Sequence, residues 1–122
     1  MAKNTLAITG LIMLVSPTFA DVLLSAPPIY DVEAGCRRQN GAMDRGFNQC
    51  VASEQSHYDN IKFMWPGLSA HGRSRMHSVF AEIKRFQGVP VRAYDVLSTV
   101  MIDELERERA DSSAKTPQRF SP

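Results

Sequence analysis

A chain of 122 residues, 43% apolar and 22% charged, has the composition of one folded domain rather than of a disordered tail or an array of domains. Its 14 basic residues nearly cancel its 13 acidic ones. That balance argues against a general nucleic-acid binder and against an electrostatic membrane or polyanion partner, each of which needs an excess of positive charge.

The N-terminus reads as an export signal. Met1–Asn4 carries one charge, Lys3, and Leu6–Val15 is apolar apart from Thr9 and Gly10. Ser16 and Pro17 break any helix, and Thr18 and Ala20 place small residues where a signal peptidase reads them. The apolar run, about ten residues, is far short of the roughly 20 that span a bilayer. Cleavage after Ala20 is expected, so that residues 1–20 are removed and the mature chain begins at Asp21. Losing Lys3 leaves 13 basic against 13 acidic residues, a mature chain without net charge and without a membrane anchor. The first cysteine is Cys36, too distant from the apolar run for a lipid-anchored lipoprotein.

Residues 21–30 read as an extended N-terminal arm, since Pro27 and Pro28 lack backbone donors and favour extended geometry. Asp31 is a natural N-cap for a short first helix from Val32 to about Gln39, with Glu33 in its first turn and Arg37 and Arg38 near its end. Asn40-Gly41 is a turn signal. The second helix is expected from about Asp44 to Trp65. Phe47, Cys50, Val51, Tyr58, Ile61, Met64 and Trp65 form its apolar stripe, and Pro66-Gly67 ends it.

Ser69 is the expected N-cap of a third helix, Ala70 to Gln87, with Met76, Val79, Phe80, Ile83 and Phe86 on one stripe. Gly88 follows as a stop, with Pro90 just beyond. A fourth helix is expected from about Val91 to Arg109, with Tyr94, Leu97, Val100, Met101 and Leu105 inward. Its acidic and basic last turns read as a solvated end, with Asp103–Arg107 and Glu104–Arg107 as helical ion pairs. Residues 110–122 are polar and expected to be a disordered tail. The fold class is therefore all-α: a four-helix domain over residues 31–109, with Phe47, Val51, Ile61, Trp65, Phe80, Ile83, Leu97 and Met101 in its core.

Cys36 and Cys50 are the only cysteines. Their spacing is neither C-x-x-C nor a haem-attachment motif, and in an oxidising compartment an even number reads as a disulfide. The two helices joined at residues 41–44 must run roughly antiparallel, which brings the cysteines together. Such a bridge closes a loop of about 15 residues and is worth about 3 kcal/mol.

Nothing else marks a reaction. His57, His71 and His77 lack helical metal-ligand spacing, with His71 and His77 on different faces. No serine sits in a glycine-flanked nucleophile turn, and Ser74, Ser78 and His77 are merely neighbours in sequence. No cofactor fingerprint is present. Trp65, Tyr58 and Tyr94 read as core aromatics rather than ligand-stacking ones. Arg73, Arg75 and Arg92 read as solvated charges rather than an anion site.

The stretch from Cys36 to about Asp103 resembles small exported proteins of unknown function from rhizobia and related α-proteobacteria. The resemblance is carried by Cys36, by Cys50 in FNQCVASEQ, by YDNIKFMW, by GRSRM, and by YDVLSTV. Members of that group carry four cysteines, and the third and fourth fall here at Met76 and Val100. Their joint replacement implies pairing of first with second and third with fourth, hence Cys36 with Cys50, and it places Met76 beside Val100. The group has no assigned activity, so the resemblance brings a fold and a compartment only. The expectation is a non-enzymatic periplasmic or secreted protein with a structural or partner-binding role. A small periplasmic stress protein or chaperone is the alternative, and an enzyme with an unmarked site ranks third.

Overall fold

The computed structural model describes residues 24–41 and 45–115. The expected signal peptide and the first residues of the arm lie outside the described residues, as do residues 116–122. Four α-helices follow in order: α1 (Val32–Asn40), α2 (Arg45–Met64), α3 (Ala70–Gln87) and α4 (Ala93–Lys115). A 3-10 turn, Trp65–Gly67, joins α2 to α3, and the described residues contain no strand.

The helix ends obey local chemistry. The Asp31 carboxylate accepts the Ala34 N–H at 3.0 Å, and the Ser69 hydroxyl accepts the Gly72 N–H at 2.9 Å. Gly41 and Gly88 stop α1 and α3 at positive φ, 79° and 74°, where a side chain is strained. The Arg73 guanidinium donates at 3.3 Å to the carbonyls of both Trp65 and Pro66, closing the far end of α2.

α4 is the central element. Moving along α2 from Glu54 to His57, the contacts on α4 move from Tyr94 to Ser98, and Gly67 lies beside Leu105. The two helices therefore run parallel. α3 runs the other way, since Ser69 meets Glu108 and Arg75 meets Glu104. Between them lies one apolar cluster of Ile61, Trp65, Leu68, Met76, Tyr94, Leu97 and Met101, all buried. Burial of each such side chain is worth about 1.5–3 kcal/mol. Met76 and Val100 both belong to this cluster, Val100 at its edge.

Residues 24–30 complete it. The arm runs antiparallel to α2, with Leu24 at Trp65 and Tyr30 at Glu54. Three carbonyls spaced two residues apart accept from three different elements: Leu24 from the Trp65 indole at 2.9 Å, Ala26 from His77 at 3.0 Å, and Pro28 from the Tyr94 hydroxyl at 2.8 Å. Pro27 and Pro28 are buried. Because proline brings no N–H, this segment enters an apolar groove with fewer donors to satisfy.

Cys36 and Cys50 form the disulfide, with Cα atoms 5.7 Å apart. The bridge ties α1 to α2. α1 is also held against the α3–α4 connection. Arg38 donates to the carbonyls of Gln87 and Val89, and Gly35 lies so close to the Pro90 carbonyl that a Cβ would overlap it.

Several expectations need correction. Cys50 is half-buried rather than inward, as are Phe47, Val51 and Ile83. Along α3 the stripe grades outward, from buried Met76 and Phe80 through half-buried Ile83 to Phe86, which is 78% exposed under the Arg85 guanidinium. The fourth helix starts at Ala93 and continues past Arg109 to Lys115. Its charged half is not simply a solvated end. Glu104 is 3% exposed, held by Arg107 at 2.7 Å and by Arg75 at 2.9 Å. No Asp103–Arg107 ion pair forms among the described residues.

Candidate functional site

The densest polar arrangement surrounds Glu54, on the middle of α2. Phe47, Val51, Tyr58 and Ile61 place one face of α2 against its neighbours, and Glu54 falls on that face at helical spacing. Its side chain is 1% exposed. The carboxylate accepts the backbone N–H of Tyr94 at 2.8 Å and of Asp95 at 3.1 Å, and the hydroxyl of Tyr30 donates to it as well. Tyr30 Oη in turn accepts the Ala93 N–H at 3.3 Å. Three of the first N–H groups of α4 are thus satisfied by side chains from α2 and the arm, with a negative charge at the positive end of the helix.

The tyrosines pack at a tilt to one another around this carboxylate. The ring centroids of Tyr30 and Tyr94 are 4.8 Å apart, and those of Tyr58 and Tyr94 are 4.9 Å apart. Burial, with the adjacent Glu54 charge adding to it, pushes the Tyr94 hydroxyl up to about 12. Burial, its hydrogen bond to Glu54 and the same charge raise Tyr30 further. Both phenols stay neutral and can donate.

One turn further on, His57, Ser98 and Asp95 come together. The Ser98 hydroxyl lies 3.4 Å from His57 Nδ1, and Asp95 Oδ1 lies 3.6 Å from His57 Nε2. These residues resemble a catalytic triad in type only. Ser98 Oγ donates at 3.1 Å to the Asp95 carbonyl one helical turn back, and Asp95 is paired with Arg92. The serine sits inside α4, where the backbone N–H groups are engaged in the helix and leave no oxyanion hole beside it.

A second polar cluster lies at the other end of α4. The Glu108 carboxylate accepts both the hydroxyl and the backbone N–H of Ser69, the latter at 2.9 Å. It stands at the N-terminus of α3, over Gly72, where a Cβ would overlap its Oε2. Burial alone would raise the Glu108 pKa. The Ser69 hydroxyl and N–H, a hydrogen bond with Glu104 and the nearby His71 outweigh it, and the net direction is down.

The residues singled out from sequence fall as follows. Trp65 is 3% exposed, its ring edge-on to His77 at 5.6 Å. Arg73, Arg75 and Arg92 are committed to a helix end, to Glu104 and to Asp95 respectively. The three histidines are dispersed: His71 is exposed, His57 faces Asp95, and His77 holds the arm. No group of three or more metal-ligating side chains is assembled among the described residues. No described helix is long and apolar enough to cross a membrane. Sequence reading missed Glu54, which interrupts an apolar stripe at core spacing, and took Glu104, whose pair with Arg107 it anticipated, for part of a solvated end.

Fold and site together define a small all-α domain stapled by one disulfide, in which carboxylates, Glu54 and Glu104 among them buried, cap or brace neighbouring helices. No family model, no curated protein and no solved structure matches the chain.

Proposed function

We propose that the chain is an exported, non-enzymatic protein that acts structurally or by binding a partner, in the periplasm or outside the cell. The observation that carries this is the commitment of its clustered polar side chains to the fold. Glu54 caps α4, Glu108 braces the start of α3, and Ser98 is bonded to its own helix. A catalytic group needs a free lone pair or proton facing a substrate. The Cys36–Cys50 bridge supports an oxidising compartment, and the Lys3, Leu6–Val15, Thr18–Ala20 order supports export. Phe63 and Phe86, 86% and 78% exposed, offer aromatic surface to a partner.

The test uses the tagged chain in its native host, with a photo-crosslinking residue at position 63 or 86. Protein recovered from the envelope fraction should begin at or near Asp21 and carry a discrete, reproducible cross-linked partner. A cytoplasmic product beginning at Met1 would overturn the reading. So would a hydrolytic activity that disappears in His57→Ala with the fold intact.

A further inference from the structure

The two sulfurs of the disulfide are unequally accessible. Cys36, on α1, is 1% exposed, whereas Cys50, on α2, is half-buried and lines an open cleft of about 240 Å³. Cys36 does not line that cleft. Gln39, on its wall, places Oε1 3.8 Å from Cys50 Sγ, so the sulfur itself borders the opening. We propose that Cys50 is the site at which an external thiol enters, and that the bond is made and broken in the folded protein through a mixed disulfide on this residue. The bridge keeps its structural role, and the cleft gives it a single point of entry.

Exchange needs a thiolate to reach one sulfur, and access decides which sulfur is attacked. Cys36 is enclosed, so no thiolate reaches it unless α1 moves. At Cys50 the external thiolate forms the new S–S bond. The electron pair of the old bond leaves on Cys36 Sγ, which takes a proton from water. A second thiol then attacks the external sulfur of the mixed disulfide, frees Cys50 as a thiolate and departs as the external disulfide. Two thiols are oxidised and the chain gains two electrons. In the reverse direction the Cys50 thiolate attacks an external disulfide, and Cys36 then attacks Cys50 Sγ and expels the external thiol. Cys50 stands one turn before Glu54, whose bonds pin α2 to α4. The external group is thus carried on the fixed helix, and the leaving sulfur sits on the short one. Arg92 is the only basic side chain among the described residues of the wall. With the amides of Gln39 and Gln49 it suits a thiol bearing carboxylate and peptide groups.

The test incubates the native, disulfide-bonded chain with glutathione, quenches with N-ethylmaleimide and maps the adduct by mass spectrometry. Trypsin cuts after Arg37 and after Arg45, so the two cysteines fall on different peptides. Glutathione should be found severalfold more on Cys50 than on Cys36, and the preference should vanish in urea, where both sulfurs are open. The rate of reduction should rise in proportion to glutathione, because attack needs no prior opening. Gln49→Trp and Ser53→Trp, at exposed positions of the cleft wall, should each slow reduction severalfold with the oxidised chain still folded. A thiol–disulfide oxidoreductase left with its attacking cysteine alone distinguishes the source. A covalent complex at Cys50 assigns a protein thiol, and a glutathione adduct without that complex assigns a small one; both support the site. Equal adducts on the two cysteines of the folded chain, or reduction unaffected by both tryptophans, overturn it. So does a rate that levels off as glutathione rises, since α1 must then open first.

Discussion

The Glu54 carboxylate accepts the backbone N–H of Tyr94 at 2.8 Å, so that one helix supplies the N-terminal cap of another lying parallel to it. Caps are normally local, from the residue before the helix. Here the preceding residue is Arg92, at φ 56°, whose side chain pairs with Asp95. Glu54→Gln keeps the shape but puts an NH2 group where one oxygen accepted. It should cost about 1–3 kcal/mol in urea unfolding, the penalty of a buried donor left without a partner. Amide exchange at Ala93–Asp95 should rise first. An unchanged midpoint would show that the carboxylate does not hold α4.

The disulfide should matter most for α1. That helix is 9 residues long, below the about 12–15 at which isolated helices become marginal. The paired change Cys36→Ser with Cys50→Ser, or reduction, should lower stability by about 3 kcal/mol. Exchange protection should be lost over Val32–Asn40 while α2, α3 and α4 remain largely formed. Two free thiols in protein recovered from the cell, or an unshifted melting temperature, would contradict a structural staple.

Gly35 tests how tightly α1 is seated. A Cβ there overlaps the Pro90 backbone carbonyl, which cannot rotate away as a side chain can. Gly35→Ala should therefore destabilise by about 1–3 kcal/mol despite alanine's better helix propensity. The same change at exposed Gly88 would act through positive φ instead, with nothing to collide with.

Alkaline unfolding should follow the tyrosines. Tyr94 is raised from 10.0 to about 12 and Tyr30 is raised further, so the folded state holds protons that the unfolded state releases. Their contribution is full below about pH 10 and is lost as pH rises through the folded value. In Tyr58→Phe, the absorbance of ionised Tyr30 and Tyr94 should appear together with loss of helical circular dichroism. Ionisation preceding unfolding would show that water reaches these hydroxyls.

Glu108 predicts the opposite limb. Its pKa is lowered from 4.5, so its contribution is present above that pH and is lost as pH falls through the folded value. Glu108→Gln should flatten the acid side of the stability curve below about pH 4.5. Ser69→Ala removes both the α3 cap and a donor to Glu108, and should cost about 1 kcal/mol at neutral pH.

Much of the fold was legible. The caps Asp31 and Ser69, the stops Gly41 and Gly88 and the two cysteines are local signals, and the helices and disulfide follow them. Periodicity found Ile61, Trp65, Phe80, Leu97 and Met101. It put Phe86 on the same stripe as Met76 and Phe80, and a stripe does not reveal where a helix outruns its neighbours. It passed over Glu54, and the Glu104–Arg107 pair read as solvated, because a carboxylate on an apolar stripe reads as an interruption until its partner across the fold is known. Those partners, Tyr94 and Arg75, lie on other helices. The two prolines announced an extended arm, but not that Trp65, His77 and Tyr94 would grip it.

That grip sets an order of events. The arm's hydrogen bonds join residues 41, 51 and 66 positions apart, so Leu24, Ala26 and Pro28 are synthesised long before their partners exist. Local helices can form as the chain emerges, but contacts of such separation wait for closure of long loops. A ribosome-bound chain that ends before Tyr94 has nothing to receive Pro28. The arm's contact with α4, Pro28 with Tyr94, therefore waits until nearly the whole described domain has been made.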